Sequence, residues 1–398
     1  MDNERKLLID GQGSFCDIIK TALYQEDSTI FERLDFYDDK IFLEPLLFGY
    51  CGRKNPKMTN QQILFGYAEL EHKPLQFKVF SNQNGVVYLP NYGYLKTEKP
   101  STFFELNYQP ERNTIVLKQG EERVVFDFLP INYLTTIPSI ELSSSIDPHS
   151  EDLFYAWPNA KATLINELLS TAPIAVEPFQ IALEQALALL KEHLPNEFEK
   201  YALSTRKIIL FSSSELRNFA TREAHGTTYL NVNENSNVTF FLEELIHQCS
   251  HIVFNAMTCN IEEFFLVNHN ETIGNYLNNE DDRTLYSALH GIYTTGQIVD
   301  SFLEIIKKNP GFDPEILHEL KGRIAINKNR HNIGLEQIPL TTVFTPKGQA
   351  LFSHYYQKLD NNIKNNPSFF DFDMASHPVV FNYQKFKRDN PLGELKWS

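Results

Sequence analysis

The chain has 398 residues, enough for two domains, and its 42% hydrophobic and 22% charged residues are typical of a folded protein and exclude disorder as its main state. Asp and Glu outnumber Lys and Arg by 51 to 36, and a net charge of −15 disfavours a primary nucleic-acid partner. Four scattered cysteines argue against a disulfide framework or a CxxC zinc site. With no signal peptide and no run of about 18 apolar residues, we expect a soluble cytoplasmic protein without a membrane partner.

The first part of the chain is predicted to consist mainly of short strands. Runs rich in Phe, Tyr, Val and Leu alternate with turn residues such as those of SNQNG and KQGEE. The predicted strands lie within segments 40–50, 62–70, 75–80, 85–95, 101–108, 113–118 and 123–131. The pattern indicates an antiparallel sheet domain that ends near Tyr133.

A change of composition at segment 143–152, SSSIDPHSED, indicates a domain boundary. Beyond it the hydrophobic period changes to about 3.6, which predicts helices within 176–194, 238–257 and 283–306, and strands from Lys207 and from Thr227. We therefore predict an α+β protein with a β-rich domain at 1–145 and a mainly helical domain at 146–398. Asn235 and Asn237 are the candidate N-caps of the 238–257 helix.

The segment FFLEELIHQCSHIVFNAM carries the first pattern that can support chemistry. His247 and His251 are spaced i and i+4, so about 40° separates them on one helix face. Two imidazoles at this spacing can bind one first-row metal ion, as in HExxH sites. The alternative is a helix with two incidental histidines that face a polar groove.

The helix predicted from Arg283 supplies a candidate third ligand. His290 shares a face with Arg283, Thr294 and Gln297 on a helix that is otherwise apolar enough to be buried. Buried polar groups need partners, and ligation of a metal by His290 meets that need. A solvent-exposed stripe is the alternative. His269, in a polar loop, is a weaker candidate ligand.

Position 248 disfavours a zinc peptidase. In HExxH peptidases the Glu beside the first His is the general base, whereas Gln248 cannot accept a proton at neutral pH. Glu244, one turn earlier, is placed to orient His247 from behind.

These motifs resemble the bacterial HExxH-motif peptide-modifying proteins, which are 2-oxoglutarate-dependent β-hydroxylases of ribosomally made peptides. The resemblance covers about 146–351 and includes a helical lead-in and the segments HGTTYLNV, EELIHQCSH, DDRTLYSALHGIY and FTPKGQALF. Gln248 departs from it, because the family has Glu at that position. A missing carboxylate base matters less when a cofactor performs the difficult step.

The resemblance implies a catalytic iron(II) site formed by His247, His251 and His290, with 2-oxoglutarate as co-substrate and a precursor peptide as partner. Arg283 is the candidate for binding the 2-oxoglutarate carboxylate, with a hydrogen bond from Thr294. The alternative for Arg283 is a pair with Asp281 or Asp282. His225 is a candidate for lining the cavity.

Three hypotheses about function remain open. The first is an iron(II)/2-oxoglutarate-dependent dioxygenase that hydroxylates a peptide side chain in the biosynthesis of ribosomal peptides. The second is a degenerate zincin-like protein that binds zinc, and the third is a non-catalytic peptide-binding protein. The domain at 1–145 is predicted to dock the peptide by strand addition or to mediate self-association.

Overall fold

The computed structural model of the protein describes residues 3–155, 174–214, 216–308, 311–330, 337–375, 377 and 381–392. Strands dominate the region between residues 76 and 143 and helices dominate the later chain, which confirms the predicted α+β class. The predicted helical lead-in after residue 146 lies partly outside the described residues, at 156–173.

The helices are α1 Asn3–Glu26, α2 Asp39–Phe42, α3 Pro45–Cys51, α4 Asn60–Leu64, α5 Pro148–Tyr155, α6 Glu177–His193, α7 Pro195–Ser204, α8 Val238–Met257, α9 Gly274–Leu277, α10 Leu285–Lys308, α11 Pro314–Arg330, α12 Leu340–Val343, α13 Pro346–Asn365 and α14 Tyr383–Asp389. The strands are β1 Gln76–Phe80, β2 Val86–Leu89, β3 Gly93–Lys96, β4 Phe103–Gln109, β5 Thr114–Gln119, β6 Glu122–Val124, β7 Asp127–Leu129, β8 Glu141–Ser143, β9 Lys207–Phe211, β10 Phe219–Ala220 and β11 Thr227–Asn231.

The chain forms two compact units. One comprises Met1–Leu8, Ala182–Tyr201 and Ser236–Ser398, and the other comprises Ile9–Ile181 and Ala202–Asn235. These units do not follow the predicted division at residue 145. Three of their four bounds fall within the helices α1, α6 and α7, and the fourth falls at Asn235–Ser236, between β11 and α8.

Two antiparallel sheets form the β-rich part of the second unit. Their strand orders are β1-β4-β5-β6 and β2-β3-β7. Alternate residues of β4 and β5 are buried, among them Phe104, Leu106 and Leu117, and they join one apolar core cluster. The predicted turns are confirmed, because Gly85 and Gly120 adopt the positive φ values that tight turns require.

The predicted strands within 40–50 and 62–70 are wrong. The first segment forms the short helices α2 and α3, and the second contains the end of α4. The Glu44 side chain accepts a hydrogen bond from the Leu46 N–H, and Pro45 is the first residue of α3. Proline at this position has a backbone angle that suits a helix start, so this local capping outweighs the strand preference of the aromatic residues.

A third sheet, of order β10-β11-β9-β8, contains the two strands predicted from Lys207 and Thr227. Both strands are confirmed, and they pair in parallel. β8 pairs in parallel with β9, so hydrogen bonds connect the two sides of the predicted boundary segment. That segment is not a linker: Asp147 is buried, and its carboxylate accepts hydrogen bonds from the first backbone N–H groups of α5.

The other unit is built around α8 and α10, whose apolar sides are buried as predicted. On α8 the buried side chains include those of Leu242, Leu245 and Ile252, and on α10 those of Leu285 and Leu289. Within the described ranges, no helix is both long enough and apolar enough to cross a lipid bilayer.

Candidate metal centre

The helix that carries the HxxxH motif begins and ends where the sequence predicted. Asn237 is its N-cap, and the side chain accepts a hydrogen bond of 2.9 Å from the Phe240 N–H. Asn235 lies outside the cap. The capped start fixes the phase of the helix and therefore the direction in which His247 and His251 project.

The three predicted histidines lie together. The Nε2 atoms of His247 and His251 are 3.1 Å apart, and Nδ1 of His251 is 2.9 Å from Nε2 of His290. The side chains of His247 and His251 are partly buried, and that of His290 is buried. The structure thus brings one histidine of α10 to the HxxxH pair of α8.

Aromatic side chains fix the ring of His290. Phe254 stacks on it with ring centroids 4.6 Å apart, and the Tyr286 ring lies edge-on at 5.4 Å. The Tyr286 hydroxyl donates to Asn255 at 2.8 Å. Sequence reasoning missed the role of Asn255 and Tyr286, although each lies four residues from a histidine on the same helix.

Glu244 and Gln248 contact His247 from the side opposite His251. The Gln248 amide nitrogen is 3.0 Å from a Glu244 carboxylate oxygen and 3.2 Å from Nδ1 of His247. That carboxylate oxygen is 3.8 Å from the same Nδ1 atom. Glu244 therefore lies on the Nδ1 side of His247, and the Gln248 amide stands between its carboxylate and the ring.

Gln248 is buried, and its Oε1 atom has no hydrogen-bond partner among the residues that the structure describes. An unpaired buried acceptor is costly and calls for a donor, such as water or a ligand. The centre thus presents an acceptor beside its three imidazoles.

His251 is held neutral. Burial lowers its pKa well below the usual value, and the neighbouring His290 and His247 lower the pKa further by disfavouring a positive charge. A metal ion binds the unprotonated nitrogen of a neutral imidazole. The environment of His251 therefore suits metal ligation at physiological pH.

The geometry fits a metal at the His247–His251 pair. Two nitrogens bound to one ion at about 2.1 Å lie about 3.0–3.4 Å apart, and the two Nε2 atoms are 3.1 Å apart. His290 faces the other nitrogen of His251, so a third bond requires a ring to turn. In the described part of the chain, only Glu69, Glu71 and His72 have three donor atoms within 4.8 Å of one another, and all three residues are exposed.

Arg283 and Thr294, which are predicted to bind the cofactor, each contact a group of the protein. Arg283 precedes α10 and forms a two-pronged ion pair with Asp281, with contacts of 2.9 Å from Nε and 2.5 Å from Nη2. Thr294 is buried, and its hydroxyl donates to the Gly291 carbonyl of the same helix at 3.3 Å. Arg283 thus pairs with Asp281, which is the alternative to cofactor binding given in the sequence analysis.

The two remaining candidate histidines, His269 and His225, lie next to aromatic side chains. His269 lies near Tyr286, with ring centroids 6.3 Å apart. His225 is buried between Phe15 and Phe48, and Gln12 contacts its Nε2 atom at 3.1 Å. Burial, more than the nearby arginines, lowers the pKa of His225 to about 3.

No protein-family model matches the chain, and no curated protein has a significant sequence match to it.

Proposed function

We propose that the protein is an iron(II)- and 2-oxoglutarate-dependent oxygenase that hydroxylates the β-carbon of a side chain in a ribosomally made peptide, in the cytoplasm. The observation that carries the proposal is that His251 lies between two histidines, with its Nε2 atom 3.1 Å from Nε2 of His247 and its Nδ1 atom 2.9 Å from Nε2 of His290. The motif resemblance supplies the reaction class.

The two histidines of α8 would hold the metal through their Nε2 atoms, and His290 would join them after one of the rings turns. His251 contributes a neutral ring, because burial and the adjacent imidazoles disfavour its protonation. The Gln248 amide nitrogen contacts both the Glu244 carboxylate and Nδ1 of His247, at 3.0 and 3.2 Å, and so links Glu244 to that ring and orients it. The bound metal would activate dioxygen, the oxidant, with 2-oxoglutarate as the co-substrate that is oxidised alongside the peptide, and no side chain of this cluster provides this chemistry.

Arg283 binds the distal carboxylate of 2-oxoglutarate in this proposal, and Asp281 competes for the same guanidinium. The Asp281 carboxylate, through its hydrogen bonds, raises the pKa of Arg283 and keeps it charged. Asp281→Asn removes this competition and is expected to strengthen 2-oxoglutarate binding several-fold, whereas Arg283→Gln weakens it.

The pairing of Arg283 with Asp281 favours a second candidate, a zinc protein without 2-oxoglutarate chemistry. Three imidazoles suit zinc as well as iron. The two candidates differ in whether 2-oxoglutarate binds next to the metal.

Anaerobic titration of the metal-free protein with iron(II) and then 2-oxoglutarate tests the proposal. We expect the weak visible charge-transfer band of metal-chelated 2-oxoglutarate in the wild type and its loss in His290→Ala. His354→Ala, at an exposed histidine of α13, is the matched control and should keep the band.

A band that persists in His290→Ala would remove His290 from the ligand set. Absence of the band in the wild type, with zinc bound in the purified protein, would overturn the oxygenase in favour of the zinc protein. Absence of the band without any bound metal would overturn both.

A further inference from the structure

A buried polar stripe continues along α10 beyond the metal centre. His290, Thr294, Gln297 and Ser301 are spaced by four, three and four residues, which places them in one line on the helix. Their exposed fractions are 8%, 2%, 3% and 1%. The stripe is therefore inside the helical unit, where each polar group needs a partner.

Two contacts fix how this stripe lies against α8. His251 of α8 contacts His290 of α10. Four residues later on α8, Asn255 contacts Tyr286, which lies four residues earlier on α10. The two helices are antiparallel at the centre. The same register places Gln297 level with Glu244, one to two turns beyond the histidines.

Two polar side-chain atoms in the far half of the stripe lack partners among the described residues. Gln297 Oε1 and Ser301 Oγ have no hydrogen-bond partner within the described ranges. Ser250 on α8 is equally buried, but its Oγ atom lies 3.1 Å from the Tyr201 hydroxyl. An unsatisfied buried polar group costs about 1–3 kcal/mol, and two on one stripe point to a ligand that supplies the missing bonds.

We propose that Gln297 and Ser301, two to three turns along α10 from His290, bind the carboxamide side chain of an Asn or Gln residue of the substrate peptide. This inference rests on the proposed function, because the peptide is the substrate of that site. A carboxamide donates N–H to Gln297 Oε1 and accepts the Ser301 O–H through its own carbonyl.

A neutral side chain fits this site better than a charged one. Gln297 and Ser301 offer only neutral groups, and the buried Glu243 carboxylate on α8 is already paired with Arg323 at 2.5 Å. The Glu244 carboxylate, level with Gln297, already accepts a hydrogen bond of 3.0 Å from the Gln248 amide, so a lysine or arginine side chain would lose its water for a shared partner.

Binding of short capped peptides tests the inference. The probes are Gly-Asn-Gly and Gly-Gln-Gly, compared with Gly-Leu-Gly and Gly-Lys-Gly, added anaerobically to the protein loaded with iron(II) and 2-oxoglutarate. We expect the wild type to bind an amide peptide about tenfold more tightly than the Leu and Lys peptides, the value of one to two hydrogen bonds. Gln297→Leu should abolish this preference.

Thermal unfolding of serine variants provides a readout without metal or peptide. Ser301→Ala removes an unpaired polar atom, so its midpoint should equal or exceed that of the wild type. The matched control Ser250→Ala removes a paired atom and should unfold at a lower temperature.

Each failure has its own signature. A normal charge-transfer band with no amide preference, or with a Lys preference, overturns this inference and leaves the oxygenase standing. If water satisfies Gln297 and Ser301, the four peptides bind alike, and this outcome also overturns the inference. An amide preference without the band overturns the oxygenase and keeps the amide site, whereas a lowered midpoint in Ser301→Ala contradicts the unpaired state of Ser301.

Discussion

Glu44 illustrates how burial changes the acidity of a single residue. Its carboxylate caps α3 and accepts a hydrogen bond of 2.6 Å from the Tyr67 hydroxyl, yet burial outweighs this bond and raises its pKa from 4.5 to about 7. Between these two values the folded protein keeps a proton that the unfolded chain has lost. Glu44 therefore lowers stability as the pH rises from about 4.5 to about 7, and its own contribution does not change further above that range.

Glu44→Gln cannot ionise and should lack this pH dependence. The variant should approach or exceed wild-type stability as the pH rises through 7, and the difference between variant and wild type should change by up to about 3 kcal/mol. Denaturant unfolding at pH 5 and pH 8 measures that change. Glu121→Gln, at an exposed position, is the control, and an equal change there would refute the role of Glu44.

Lys207 forms a buried ion pair with Glu141 at 2.9 Å, and its ammonium lies 3.7 Å from the centroid of the Tyr88 ring. Lys207→Met leaves the Glu141 charge buried without its counter-ion. We expect a loss of about 3–5 kcal/mol in the free energy of unfolding. Chemical denaturation of Lys364→Met, which breaks an exposed pair with Asp360, should show a change below about 1 kcal/mol. Equal effects in the two variants would contradict this account.

At the scale of elements, two helix glycines have opposite surroundings. A Cβ atom at Gly291 of α10 would have no heavy atom within 4 Å, whereas one at Gly322 of α11 would lie 2.7 Å from Phe386 Cε1. Gly291→Ala should therefore raise the free energy of unfolding by up to about 1 kcal/mol through helix propensity alone. Gly322→Ala should lower it, because the Phe386 ring must move. Thermal unfolding of both variants checks the prediction, and a stabilised Gly322→Ala would contradict it.

The success of the element predictions depended on the strength of local signals. α8 combines a long apolar period with the Asn237 cap, and the sequence predicts both of its ends. In α3 the aromatic residues suggested a strand, while the cap and Pro45 decided for a helix. α1 was missed within the region predicted as strands, although Leu8, Cys16, Ile19 and Leu23 are buried at helical spacing.

The site was partly predictable for the same reason. The i, i+4 spacing predicts that His247 and His251 share a face, and the buried polar stripe on α10 indicates that His290 needs a partner. That Nδ1 of His251 faces His290 depends on the packing of two helices far apart in sequence. Local patterns do not encode this register, nor the pairing of Arg283 with Asp281.

At the scale of the whole molecule, the N-terminal end of the chain belongs to the unit that holds the histidines. Glu4 accepts a hydrogen bond of 2.7 Å from the Tyr293 hydroxyl on α10 and pairs with the buried Lys200 at 3.0 Å. The predicted N-terminal docking domain at 1–145 therefore cannot be removed as a block without loss of these bonds. A deletion that tests docking must retain residues 3–8.

Glu4→Ala should weaken the helical unit. The change removes one partner of the buried Lys200 and the acceptor for Tyr293, and we expect a loss of about 1–3 kcal/mol in the free energy of unfolding. Arg5→Ala breaks a more exposed pair with Glu199 and should change stability by less than about 1 kcal/mol. Urea unfolding separates the two variants, and a Glu4→Ala variant as stable as Arg5→Ala would refute the anchoring role.

The most direct test of the metal centre is a crystal structure after anaerobic soaking with iron(II), with anomalous scattering measured at the iron edge. The account predicts one anomalous peak about 2.1 Å from Nε2 of both His247 and His251, with the His290 ring turned to complete the set. No peak at this cluster, or a peak only at Glu69, Glu71 and His72, would contradict it.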